Sequence, residues 1–231
     1  MKNFLKFWDK NANVSHSQSG EDRIISFIFD WIQIKLPTYM DIGAHHSSWL
    51  SNTYLFYKNG STGVCIEPDP YLFAEIKRKR KRDICLNIGI SSNAQETADF
   101  YVMSTRSLNT FSKEDALRCQ ETKNFGMQKI EEVIQLPLRA ISDVMGEYCP
   151  NGVNLVSIDV EGLDSEIVRS FNFSKYQPEV FCIETLRYDK YGILQKNHEL
   201  IEHMQKNEYF IYGETYINTI FVSKKVKSLL K

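Results

Sequence analysis

Residues 39–43 read YMDIG, and they decide the fold. The apolar run Tyr39-Met40-Asp41-Ile42, halted by Gly43, is too short for a helix and has the length of a buried strand. Outward from it, Gly63-Val64-Cys65-Ile66-Glu67 repeats the pattern and is halted by Pro68. Asp83 to Ile90 gives a third run, and the periodicity of Tyr71 to Arg80 predicts a helix between the second and third. Upstream, Glu21 to Gln33 carries a broad apolar helical face, with Ser19 as its expected N-cap. Downstream, strands are expected at 98–104, 133–138, 153–160 and 179–184, with helices at 112–120, 141–148, 165–170 and 198–206. Two antiparallel strands, 209–212 and 219–223, close the chain. Continuous apolar strands alternating with helices describe a parallel sheet covered on both faces. The expected fold is therefore α/β, a Rossmann-like three-layer sandwich with a mostly parallel sheet and a C-terminal antiparallel hairpin. A single domain is expected over 1–231, with residues 1–36 as a helical cover and 37–231 as the core.

Composition sets the outer limits. Of 231 residues, 42% are hydrophobic and 25% charged, which excludes extended disorder. The 28 basic residues against 29 acidic ones leave a net charge of −1, so the average composition gives no sign of a nucleic-acid or membrane partner. Five cysteines without a C-x-x-C pair, three of them inside apolar runs, point to a reducing compartment. The N-terminal residues lack the uninterrupted apolar stretch of a secretory signal, and no window is long enough for a transmembrane span. A cytoplasmic protein is expected.

In a doubly wound sheet the ligand sits beyond the carboxyl ends of the strands. Gly43 would let the backbone approach a ligand closely, and Glu67 follows Asp41 at roughly the spacing at which a carboxylate takes ribose hydroxyls. The loop 43–48, GAHHSS, has one glycine and two imidazoles. That suits a pyrophosphate poorly, because the G-x-G-x-x-G fingerprint is missing. It suits S-adenosylmethionine, which has a ribose and an amino acid but no phosphate.

Four stretches, SQSGEDRI (17–24), DIGAHHSSWLSNTYLFYKNG (41–60), GVCIEPDPYLF (63–73) and VSIDVEGLDSEIV (156–168), together with NIGISS (87–92) and SLNT (107–110), resemble the FkbM family of class I methyltransferases. The resemblance implies methyl transfer from S-adenosylmethionine to a hydroxyl oxygen, commonly on a sugar. Asp41, Gly43 and Ala44 would border the methionine moiety, and Glu67 would hold the ribose. Asn87 and Ile88 would flank the adenine, while Gln18 and Asp22 would fold over cofactor or acceptor. His46, Asn109 and Thr110 are the acceptor candidates. Ser47 stands where a proline often follows the two histidines, and Ser61-Thr62 replaces a Trp-containing pair.

Residues two apart in a strand share a face, so Asp159 and Glu161 are expected to converge where their strand ends. Glu184 ends the neighbouring strand. Clustered carboxylates repel unless a proton or cation intervenes, and a hard ion such as Mg²⁺ or Mn²⁺ keeps water or substrate oxygens as its other ligands. Asp159 and Glu184 are thus candidate metal ligands, and Asp159 also belongs to the cofactor set. The plain alternative is an acidic pair capping the next helix. His45, Asp159 and Glu161 are the catalytic candidates, and imidazole suits general-base work near neutrality.

The six basic residues Lys77 to Arg82 are either a solvated helix end favoured by the macrodipole or a contact for a phosphate or anionic glycan. Taken with these residues, the resemblance implies an O-methyltransferase acting on a sugar hydroxyl in surface polysaccharide or natural-product glycan biosynthesis. Its acceptor would be a small molecule or glycan, nucleotide-sugars included, and no nucleic-acid target is expected. The rivals are a catalytically silent nucleotide-binding module and an oxidoreductase on the same fold.

Overall fold

The computed structural model describes residues 14–92, 96–121, 127–160, 162–188 and 194–226. Its central sheet has seven strands in the order β11-β12-β8-β7-β1-β2-β3. Strands β1 (Tyr39–Ile42), β2 (Gly63–Ile66), β3 (Ile84–Leu86), β7 (Leu155–Ile158) and β8 (Val180–Glu184) run parallel. β12 (Asn218–Ser223) is antiparallel to both β8 and β11 (Tyr209–Glu214), so the sheet is mixed at one edge, as expected.

Side-chain alternation divides the core into two layers. Met40, Ile42, Val64, Ile66, Val156, Ile158, Phe181 and Ile183 face α5 (Ile141–Tyr148), α6 (Asp164–Ser170) and α7 (His198–Lys206). Tyr39, Cys65, Leu155, Val180 and Cys182 face α1 (Glu21–Trp31), α2 (Tyr54–Lys58) and α3 (Pro70–Lys79). From β1 the chain moves outward to β2 and β3, then returns to the other side of β1 with β7. The order reverses between β1 and β7, and ligands bind outside the carboxyl ends of strands at such a reversal.

Several local expectations change. Asp83–Ile90 is not one strand: it breaks at Asn87-Ile88 into β3, in the main sheet, and β4 (Gly89–Ser91), which pairs elsewhere. β4 joins β6 (Ile130–Ala140) and β5 (Thr97–Met103) in a separate three-stranded sheet. With a 3-10 turn (Arg106–Leu108) and α4 (Lys113–Glu121), that sheet forms an insertion between β3 and α5. Ser19 is not the N-cap of α1. Gly20 holds that place at φ +94°, and the Ser19 N–H donates to Glu21 Oε2. The short helix α2 and the hairpin β9 (Leu186–Tyr188) with β10 (Leu194–Lys196) carry no periodic signal long enough to read.

Candidate active site

The carboxyl ends of β1, β2 and β7, the insertion and the β8–β9 turn enclose a cavity of about 790 Å³. That is within the usual range for small-molecule sites, roughly 300–1,000 Å³. Gly43 turns the chain at the floor with φ +80°. A Cβ there would lie 1.8 Å from the Asp159 carbonyl oxygen, so β7 approaches this turn closely and only glycine fits. Gly43 and Ala44 both donate their N–H groups to the Ile66 carbonyl, which fastens the turn to β2.

Glu67 is buried in the cavity wall. Its Oε2 accepts the His45 N–H at 2.7 Å and its Oε1 accepts the Asp69 N–H at 2.8 Å. Burial pushes its carboxyl up to about 8 against the opposing pull of those two amides, with Asp69 and Asp41 adding repulsion. Each oxygen keeps a free lone pair, so the carboxylate can still accept two hydroxyl donors. This pair of acceptors fits a ribose diol.

Asp159 and Glu184 meet on the floor. Both line the cavity, and their carboxyl groups are hydrogen-bonded to each other. Burial raises Asp159 to about 6 against the lowering effect of that bond, and Asp41 and Glu21 push it further upward. Asp164, below them, accepts the N–H groups of Val160 and Gly162, and burial next to Asp159 lifts it to about 7. It therefore supports the β7–α6 turn.

The roof comes from the insertion. Asp69, missed in the sequence reading, caps α3 by accepting from Tyr71 N and Leu72 N through Oδ1. Its Oδ2 takes Arg106 and the Asn109 amide, so one buried carboxylate ties the insertion to the core. The signal was the Asp-Pro at 69–70, an N-cap followed by proline at the first helical position.

A family model described as the methyltransferase FkbM domain matches residues 41–211. The chain belongs to the FkbM methyltransferase family. No curated protein matches the sequence. Solved structures similar to this FkbM methyltransferase include a TehB-like SAM-dependent methyltransferase from Corynebacterium glutamicum, with TM-score 0.43 and 11% identity over 88% of this chain and 87% of that one. Another is the 1,6-didemethyltoxoflavin-N1-methyltransferase of Burkholderia thailandensis, with TM-score 0.42 and 9% identity over 89% and 77%. A third is the precorrin-6y C5,15-methyltransferase of Geobacter metallireducens, with TM-score 0.41 and 10% identity over 93% and 90%. S-adenosylmethionine is the methyl donor of this FkbM methyltransferase.

Of the residues singled out in the sequence, Gln18, Gly43, His45, Glu67, Asn109, Thr110, Asp159 and Glu184 line the cavity. Asp41 does not. In β1 it faces the α2–α3 layer, where Thr53 Oγ1 and Ser157 hold it and Arg80 Nη1 lies 3.7 Å away. Burial raises its carboxyl against that stabilisation. Ala44 is packed in the same layer. Asn87 donates to the carbonyls of Glu67 and Pro68, pinning the loop that carries Glu67, and Ile88 packs on the core beneath α5.

Asp22 also lies outside the lining. It accepts from the Ser15 and Ser17 hydroxyls and from His16 N, and so shapes the segment that presents Gln18. His46 turns away: its Nδ1 accepts from Ser48 N and Trp49 N, and its Nε2 lies 3.1 Å from Glu75. Glu161 lies outside the described residues. Asn52, not anticipated, lines the cavity and donates to Ser157, which in turn holds Asp41.

Among the described residues, no group of three or more His, Cys, Asp or Glu side chains is arranged to hold a metal ion. Likewise, no helix there is long and apolar enough to cross a membrane.

Proposed function

We propose that this FkbM methyltransferase transfers the methyl group to a sugar hydroxyl in glycan biosynthesis. The observation that carries the reading is the Asp159–Glu184 carboxyl pair at the switch point, open to the same cavity as Glu67. An alcohol is a weak nucleophile and gains most from a base whose pKa lies near the working pH. A carboxyl raised to about 6 is ionised at neutrality yet more basic than an ordinary aspartate.

Bound S-adenosylmethionine supplies a methyl carbon on a positively charged sulfur. Glu67 would orient the donor through its ribose. Asp159 would take the acceptor's proton as the oxygen–carbon bond forms and the carbon–sulfur bond breaks, and Glu184 would hold Asp159 in place. His45 is the rival base, with its imidazole in the cavity wall and held below its ordinary range by burial and by His46.

The rest of the lining, with Asn52, Ser107, Asn109, Asp115, Gln128 and Asn218, offers many donors and acceptors to a hydroxyl-rich ligand. Nucleotide-sugars and glycans are both within the proposed acceptor class. The five free thiols support a cytoplasmic site of action. Residues 1–36 would serve as the cover of a single catalytic domain, an arrangement supported by Gln18 over the cavity and by Glu21, which holds Asn218 and Thr215.

The test is transfer of labelled methyl from S-adenosylmethionine to a panel of sugars, nucleotide-sugars and cell-surface glycans, with and without EDTA. Methylated sugar oxygen formed equally in both conditions supports the carboxylate base. Turnover lost to EDTA and restored by Mg²⁺ or Mn²⁺ would instead make Asp159 and Glu184 metal ligands. Transfer to nitrogen, carbon or RNA alone would overturn the sugar reading.

A further inference from the structure

The basic run 77–82 is absorbed neither by the cavity nor by the helix it ends. α3 starts at the cavity with Asp69 and runs ten residues, about 15 Å, away from it. The run therefore lies at the opposite end of the molecule, where β1, β2 and β3 begin, and cannot touch an acceptor in the cavity. Arg80 is turned inward and fully buried, paired with Asp83 at 2.7 Å and bonded to Tyr39 and Thr53. Lys77, Arg78, Lys79, Lys81 and Arg82 all point to solvent.

They do not stand alone. Arg82 lies over the Tyr57 ring at 4.1 Å, and the Tyr57 hydroxyl donates to the Lys79 carbonyl. Next to Tyr57, exposed Lys58 ends α2, and Gly60 abuts Leu36, which follows exposed Lys35. Seven exposed cations thus share one end of a chain whose net charge is −1. Among the described residues only Lys79 of the seven has an ion pair, with Glu75. The macrodipole accounts for cations in the last turns of α2 and α3 but not for Lys35, Lys81 or Arg82. Beside Lys35, Leu36 is 58% exposed.

We infer that this end docks on the surface of an anionic phospholipid bilayer, with the cavity facing away from it. Long flexible cations beside an exposed aliphatic side chain, Leu36, suit lipid headgroups and the first methylenes below them. A single-stranded nucleic acid would need open aromatic platforms, whereas the Tyr57 ring is covered by Arg82 and the Phe73 ring lies under Lys77.

The test is co-sedimentation of the full chain with vesicles of phosphatidylcholine alone, or with about one-third phosphatidylglycerol, at low and high salt. Binding to the anionic vesicles only, weakened by salt, is expected. The variant with Lys77→Gln, Arg78→Gln and Lys81→Gln should bind them about a hundredfold more weakly. Its thermal melt and S-adenosylhomocysteine affinity should match the parent chain, because none of the three touches the cavity or the core. Equal binding to both vesicle types, an unweakened triple variant, or binding to a short RNA duplex in place of vesicles would overturn the inference.

Discussion

The role of Glu67 can be tested through its own titration. If ribose hydroxyls donate to this carboxyl, the ionised form binds better. With its carboxyl at about 8, roughly one-tenth is ionised near pH 7 and roughly nine-tenths near pH 9. A ligand selecting the ionised form should therefore bind about tenfold more tightly at the higher pH. The probe should be 5′-methylthioadenosine, which keeps the ribose and adenine but lacks the amino acid whose titration would obscure the effect. In Glu67→Gln the pH dependence should vanish. Affinity should fall about tenfold or more near pH 9, the loss of one charge-assisted hydrogen bond of about 1.5–3 kcal/mol. The 2′-deoxy probe, which keeps only the 3′-hydroxyl, should lose less affinity to the substitution than the parent probe. Calorimetry giving a flat affinity from about pH 6 to 9 for the parent chain, or equal affinities for parent and variant, would refute the ribose assignment.

Three further outcomes follow from the geometry. Asp159→Asn should lower turnover by about 10²–10⁴ with S-adenosylhomocysteine affinity retained, and should remove the rise in rate through about pH 6; an intact pH profile would point to His45 instead. Arg80→Gln leaves Asp41 and Asp83 buried without their cation and should cost about 3–5 kcal/mol in chemical denaturation, whereas Arg78→Gln should stay within about 0.5 kcal/mol. The ligand-free chain should lose stability as pH rises from about 5 to 9. Glu67, Asp159 and Asp164 have folded values near 8, 6 and 7, so the folded state holds protons that the unfolded chain releases above about 4; a melting temperature rising over that range would contradict the burial of these groups.

The strands of the main sheet were legible because a buried parallel strand is a continuous apolar run, and those ending in Gly43, Glu67 and Asp159 could be placed from that alone. Apolar content does not reveal a change of partner, so the break at Asn87-Ile88 and the separate insertion sheet were not readable. A similar limit applies at the site. Glu67 could be found because strand and loop together fix its direction. Asp41, one residue before the end of β1, points to the other layer, and only the position of Arg80 on α3 shows what it meets there. A run of six like charges gives no hint that its fourth member is interior. His45, the preferred base candidate, does line the cavity, whereas His46, named for the acceptor, does not; the left-handed backbone of His45, φ +52°, separates the two rings.

The two halves of the cavity are written differently in the chain. Floor residues Gly43, Glu67, Asp159 and Glu184 come from strand ends dispersed across the sequence, so any one is held by the whole sheet. The roof residues from Thr105 to Cys119, with Gln128, belong to one uninterrupted insertion, linked to the floor through Asp69. A replacement of that segment leaves every main-sheet strand in register. On the proposed reading, donor chemistry would be inherited with the fold, while much of the shape presented to the acceptor could be exchanged as a single cassette, provided the newcomer supplies partners for the Asp69 carboxylate.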